Sequence, residues 1–274
     1  MSRNAVGFCV LVCLMLVGLS HPAWSQAPAE KPGKLKNSIG MEFASIPAGK
    51  FLMGSPETEK ERFQDETQHE VSLTQGFRIG VYKVTQAQYE QVMGKNPSLH
   101  KGATLPVETV SYDDALAFCK KLSDLPAEKA AGRKYKLPTE AEWEYCCRAG
   151  TSTPFHFGNE LNGTQANCDG TFPYGTTKQG PYLKKTSPVG SYPANAWGLH
   201  DMHGNVYEWC QDWYGDYPKD SIKDPQGSSS GEHRVLRGGS WYSGGACDCR
   251  AGERFRSSPD NYNLLCGFRL LLPL

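Results

Sequence analysis

Two stretches of this chain carry side chains whose types and spacing could do chemistry. In RVLRGGSWYSGGACDCRAGERFRSSPD, Ser240 and Ser243 precede the triplet Cys247-Asp248-Cys249. Thiolate sulfurs are soft ligands, so cysteines here could serve a soft metal or pair as disulfides. In Asp201-x-x-Gly204-Asn205-Val206-x-Glu208, two carboxylates flank a glycine turn. A hard cation such as Ca²⁺ takes several oxygens, and backbone carbonyls can complete the set. Two ordinary loop acids are the alternative. His200 and His203 flank the same loop and read better as packing or surface histidines than as zinc ligands.

The compartment decides what the cysteines mean. Arg3, the apolar stretch Ala5 to Leu19 and Ala23-Trp24-Ser25 have the pattern of a cleaved export signal over residues 1–25. The stretch is short for a membrane span, and neither Cys9 nor Cys13 follows a lipobox. The expected location is periplasmic or secreted, with no membrane span after signal removal. Eight cysteines then remain, and an even number outside the cytoplasm favours disulfides. They form no two separated CxxC pairs, which argues against structural zinc. With 29 basic and 29 acidic residues the formal charge is zero, so no nucleic-acid partner is expected.

The elements that must position these groups are few. Residues 26–36 read as a linker rich in Pro, Ala and Lys. Met41 to Ile46, a turn at Pro47-Ala48-Gly49 and Phe51 to Gly54 give a hairpin signal. Glu57 to Glu70 reads as a solvated, charged loop. Capping boxes at Thr85/Gln88, Ser111/Asp114 and Thr139/Glu142 predict three helices. Tyr89, Val92 and Met93 would face inward on the first, Ala115, Cys119 and Leu122 on the second, Trp143 and Cys147 on the third. After Arg148 the helical signals stop. Short strands and long ordered loops follow, and buried loop backbone needs internal ties such as disulfides or a bound cation.

The order of landmarks resembles one family. These are Phe51-Leu52-Met53-Gly54-Ser55, Val84-Thr85, Pro106-Val107, the segment Leu137 to Tyr145, the segment Asn195 to Trp209, Arg237-Gly238-Gly239-Ser240-Trp241 and Gly267-Phe268-Arg269. Together they resemble the formylglycine-generating enzymes, or sulfatase-modifying factors, from about Asn37 to Arg269, which makes 37–274 the domain. The resemblance implies an α+β, C-type-lectin-like fold with few helices, short strands and long ordered loops.

In catalytic members one cysteine stands three residues after the GGS serine and another eight after it, and the pair binds Cu(I). Here Ser243 and Asp248 occupy those places. Cys247, Cys249 and Ser240 are the remaining candidates for catalysis. Trp241, Arg250 and Arg254 would line the family's peptide groove, or else serve packing and ion pairs. The resemblance implies calcium held by Asp201, Glu208 and the carbonyls of Gly204 and Val206, and a second site at Asn167 and the Cys168 carbonyl. It also implies a Cys147–Cys249 bridge. A Cys119–Cys266 bridge is a weaker match, because the family's partner falls at Leu270. Cys146 is expected as a buried thiol. Three functions follow as expectations: a non-oxidase binding or assembly module for a peptide or protein partner, a copper-dependent oxidase converting a protein cysteine to formylglycine, or a calcium-dependent glycan-binding module.

Overall fold

The computed structural model describes residues 34–274. The expected signal segment and most of the expected linker lie outside the described residues. The linker's last two residues are not linker: Leu35–Lys36 (β1) pairs antiparallel with Glu42–Ile46 (β2). The strands predicted on either side of Pro47-Ala48 exist, but they do not form a hairpin. β2 pairs with Phe77–Gly80 (β5), whereas Gly49–Met53 (β3) crosses to another sheet and pairs with His69–Leu73 (β4). The turn therefore moves the chain between sheets instead of folding it back on itself.

Three small sheets result. One has the order β1-β2-β5-β11, closed by Leu271–Pro273 (β11); a second is β3-β4-β7, with Ile222–Lys223 (β7) parallel to β4. The third joins Tyr207–Trp213 (β6), Arg234–Arg237 (β8), Phe255–Ser257 (β9) and Cys266–Gly267 (β10) in the order β10-β6-β8-β9. In β6 and β8, Glu208 faces Arg237 and Trp209 faces Leu236, and a bulge follows before Trp213.

All three predicted capping boxes are present. They open Gln86–Met93 (α1), Tyr112–Asp124 (α2) and Glu140–Arg148, which is α4 because a short helix, Pro126–Ala130 (α3), follows α2. In each box a side-chain oxygen accepts the third backbone N–H while the N3 side chain accepts from the cap N–H, satisfying two orphan donors. α2 buries Ala115, Cys119 and Leu122 as its spacing predicts. On α1 only Tyr89 is fully buried along the expected face. Helix α4 is buried on nearly all sides. Trp143 packs with Ile79, Val235 and Leu271, and a second cluster stacks Tyr89 on Phe118 at 5.5 Å.

From Ala149 to Val206 there is neither helix nor strand, only isolated bridges at Phe155–Gly158 and Leu161–Tyr174. Buried asparagines tie this region. Asn195 accepts the N–H groups of Trp197 and Leu199 and donates to the Cys146 carbonyl at 2.7 Å. Asn205 both accepts from and donates to the Ser187 backbone at 3.0 Å.

Buried ion pairs tie the rest. Glu208 accepts from Lys83 at 2.5 Å and from Arg269 at 2.6 and 3.0 Å, and all three side chains are fully buried. Glu144 on α4 holds Arg148 at 2.8 Å and also Arg237. Glu140 holds Arg254 through both oxygens at 2.7 and 2.8 Å. Arg250 binds Glu66 at 2.7 Å and Glu59 at 2.7 Å and donates to the Glu61 carbonyl at 2.9 Å. The charged loop is thus pinned from inside, not merely solvated: Glu66 is fully buried.

Removing one partner of such a pair leaves an uncompensated buried charge. Glu208→Gln is expected to lower unfolding free energy by about 3–5 kcal/mol in urea titrations. Thr139→Ala, which loses only a cap, is expected to cost about 1 kcal/mol. Equal, small losses in both variants would mean that the ion pairs are not what holds these loops.

Candidate functional site

Strand β8 delivers the chain into Gly238 and Gly239, which turn it at φ 92 and 72. A Cβ on Gly239 would stand 2.5 Å from the Cys249 sulfur, so both conformation and space require glycine there. The turn seats Ser240 with no solvent exposure. Ser243 then folds back over it. Its Oγ accepts the Ser240 N–H at 2.7 Å and lies 3.1 Å from Ser240 Oγ. It also reaches Tyr207 Oη at 3.4 Å. Beside these hydroxyls, Glu253 is buried and its Oε2 has no hydrogen-bond partner. Burial, then the charge of Asp248, push the Glu253 carboxyl well above its ordinary range. Tyr207 and Glu253 were not visible as site residues in the sequence; neither lies in a motif of its own.

The thiols do not assemble a copper centre. Cys247 is partly exposed, and its Sγ donates to Asp248 Oδ1 at 3.4 Å. Burial and the Asp248 charge push its pKa up to about 12, so it stays a thiol at neutral pH. Asp248 also accepts the Gly244 N–H at 2.7 Å, which closes the Ala246–Cys249 turn. Cys249 is buried with Cys168 inside a cluster with Phe155, Leu161 and Ala246. Cu(I) chelated by Cys247 and Cys249 therefore does not fit this arrangement.

Neither expected bridge is formed; all eight described cysteines are free. The reason at Cys147 is His203. The Cys147 sulfur lies 3.7 Å from His203 Nε2, while His203 Nδ1 donates to the Cys249 carbonyl at 2.7 Å. The imidazole sits against both residues, and the Cys249 thiol turns toward Cys168. Cys119 and Cys266 share the hydrophobic cluster of Tyr89 and Phe118 as unbonded thiols. Cys146 is the buried thiol expected.

The groove residues also need correction. Arg250 and Arg254 are buried and committed to Glu66, Glu59 and Glu140, so they hold elements together and offer no charge to a ligand. Arg254 is further sandwiched over Tyr217 at 3.7 Å and Tyr214 at 4.6 Å. Trp241 is 8% exposed, its backbone N–H donates to the Asn205 carbonyl at 3.0 Å, and its ring meets His100. The exposed aromatics near Ser243 are others: Tyr242 at 62%, Phe172 at 65% and Phe255 at 46%. Phe255 stacks on Tyr207 at 5.1 Å, and Phe172 lies against Gly245.

The proposed calcium ligands are placed as follows. Gly204 turns at φ 77, and any Cβ would collide with the Asn167 carbonyl. Val206 and Glu208 are fully buried. Burial alone would raise the Glu208 pKa, but the charges of Arg269 and Lys83 outweigh it and hold the carboxylate below its ordinary range. Glu208 is already neutralised by two cations, so it does not fit the calcium role. Asp201 accepts the Gly190 N–H at 2.7 Å. Asn167 donates to the Lys185 carbonyl at 3.0 Å and its Oδ1 has no partner. Among the described residues no cluster of three or more His, Cys, Asp or Glu could hold a metal ion.

His203 carries a pH signature. Its Nδ1–H faces a carbonyl and its Nε2 accepts the His156 N–H at 3.1 Å, so the neutral tautomer is fixed. Burial, then His156, lower its pKa to about 3. The unfolded state, with its ordinary value of 6.5, binds a proton first. Stability is therefore full above about pH 6.5 and is lost progressively as pH falls toward 3. Between pH 7 and 4.5 this residue should account for on the order of 2 kcal/mol. Urea titrations across that range are expected to show a shallower decline in His203→Gln; an unchanged slope would remove His203 as the cause.

With the geometry in hand, the chain's relatives can be placed. Residues 28–273 match the Sulfatase-modifying factor enzyme 1-like domain. The serine/threonine-protein kinase pkn1 of Chlamydia caviae is 32% identical over 92% of this chain and 41% of its own length. The formylglycine-generating enzyme of Mus musculus is 32% identical over 77% of this chain and 59% of its own length. The chaperone protein LppX of Paenibacillus barcinonensis is 31% identical over 69% of this chain and 76% of its own. This chain thus spans about two fifths of the first relative and three fifths of the second. The solved structure of PvdO from Pseudomonas aeruginosa superimposes with a TM-score of 0.73 at 31% identity, covering 90% of this chain and all of that one. Few helices, short curled strands and long ordered loops around a GGS turn are the α+β fold expected, and the chain belongs to the sulfatase-modifying factor family.

Proposed function

We propose that this chain is an exported, non-oxidase member of its family, a binding or assembly module whose Ser243 surface accepts an extended peptide of a partner protein. The observation that carries this reading is the state of the would-be copper ligands. Ser243 Oγ is engaged by the Ser240 N–H, and Asp248 is engaged by Gly244 and Cys247. The nearby sulfur that remains accessible is the single Cys247 thiol. Copper-dependent oxidation of a substrate cysteine needs thiolate ligands, and this surface presents hydroxyls and acids instead.

Binding survives the loss of that chemistry. Tyr242, Phe172 and Phe255 expose large rings around the Ser243 hydroxyl. Such rings bury area at low entropic cost and anchor peptides at interfaces. The partly exposed Ser243 hydroxyl can hydrogen-bond an extended backbone. The similarity to a protein named as a chaperone agrees with an assembly role. The calcium-dependent glycan reading draws no support from Glu208, which is already paired.

Cu(I), O₂ and a peptide bearing C-x-P-x-R would be incubated with the mature protein, and the peptide examined by mass spectrometry. No aldehyde is expected. Conversion that vanishes in Cys247→Ala would establish an oxidase and overturn the proposal. The double variant Ser243→Cys/Asp248→Cys is expected to bind Cu(I) at least about 100-fold more tightly than the natural chain, because two thiolates replace an alcohol and a hard acid. No gain would mean that the backbone here does not present the two positions to one ion.

A further inference from the structure

We infer that Lys83 and Arg269 together take the place of a divalent cation beneath the Gly204 turn, so that this chain carries its own cation there and needs no calcium. The charge count supports this first. Asp201 and Glu208 bring two carboxylates to the loop, and Lys83 and Arg269 bring two positive charges. A Ca²⁺ ion would supply the same charge to the same acids.

Distances support it next. Lys83 Nζ stands 2.5 Å from Glu208 Oε1. Calcium binds oxygen at about 2.3–2.6 Å. An ion ligated by that oxygen would have to enter the shell the ammonium already fills. Arg269 completes the substitution. It takes Glu208 through two bonds, at 2.6 and 3.0 Å, and donates to the carbonyls of Gly80 and His200 at 3.0 and 2.9 Å. Backbone carbonyls of this kind are what a hard cation would otherwise gather. All of these groups are buried: Lys83 is 1% exposed, and Glu208 and Arg269 are 0%. A hydrated ion would have no open path to Glu208 without displacing them.

The substitution matters for the Ser243 surface. The Gly204 N–H donates to the Gly238 carbonyl at 2.6 Å, and the Asn205 carbonyl accepts from Trp241 at 3.0 Å. These two bonds tie the cation loop to the GGS turn that seats Ser240 and Ser243. Lys83 is therefore a positioning residue for that surface. Whatever binds there should bind equally well in chelator, and this holds whether or not the peptide reading of the surface is right.

The test uses the mature chain. Thermal unfolding and calcium calorimetry are measured after dialysis against EGTA and again in millimolar CaCl₂. Wild type is expected to show one unchanged Tm and no stoichiometric calcium binding that depends on Asp201. Lys83→Ser removes the ammonium and leaves space and a hydroxyl. It is expected to melt lower in EGTA, to gain at least about 5 °C on adding calcium and to bind about one equivalent. Lys83→Met refills the space without charge and is expected to melt lower and to ignore calcium. A wild-type Tm that falls in EGTA and recovers with calcium would overturn the inference. So would stoichiometric calcium binding by wild type that is lost in Asp201→Asn, or a folded Lys83→Ser that ignores calcium. If Lys83→Ser folds only in calcium, that counts in favour; if it folds in neither condition, the wild-type titration decides.

Discussion

Charge buried without a partner is the constraint on which this structure rests. The domain has short strands, four described helices and a region from Ala149 to Val206 with no regular element. Repetitive backbone bonding cannot hold such a chain, so side chains must. Glu66, Glu140, Glu144 and Glu208 each lie inside and each bind arginine. Desolvating an ion pair is expensive, and these pairs do not necessarily make the fold more stable than apolar packing would. What they give is specificity of arrangement, since a carboxylate that misses its arginine is left charged in the interior. Arg250 fixes the loop carrying Glu59 and Glu66, Arg254 fixes α4, and Arg269 and Lys83 fix the turn at Gly204.

The same logic explains why several conspicuous residues are not ligand-binding groups. Arg250, Arg254 and Glu208 have their charge and hydrogen bonds committed inside the protein. What remains near the surface is a small set: Ser243, Cys247 and three exposed rings. The site is thus a polar patch with an aromatic rim. A fold can keep its scaffold and exchange its chemistry by changing a few side chains on one turn.

Local signals in the sequence were reliable where the physics is local. Each capping box involves atoms within one helical turn, and each appears as predicted. The alternation around Met41 to Gly54 located two strands, yet it could not say that they belong to different sheets, because pairing is decided by β4 and β5. The cysteines illustrate the other limit. Their number and the export signal suggested bridges, but a bridge depends on which sulfur faces which. His203, forty-six residues before Cys249 along the chain, lies against Cys147 and the Cys249 carbonyl. Lys83 shows the same thing: nothing near it in Val81-Tyr82-Lys83-Val84 hints at a carboxylate 125 residues away.

The amino-acid sequence by itself determined the family, the helix starts, the glycine-dependent turns and the placing of Ser243 and Asp248 after the GGS turn. All of these are written in residue type and short spacing. Only the tertiary structure decided that Arg250 and Arg254 are internal braces, that Glu253 is buried beside the hydroxyls, and that an ammonium holds the carboxylate expected to hold calcium. Those outcomes depend on burial and on partners distant in sequence, and the charge state of a group is set by the field and solvent around it.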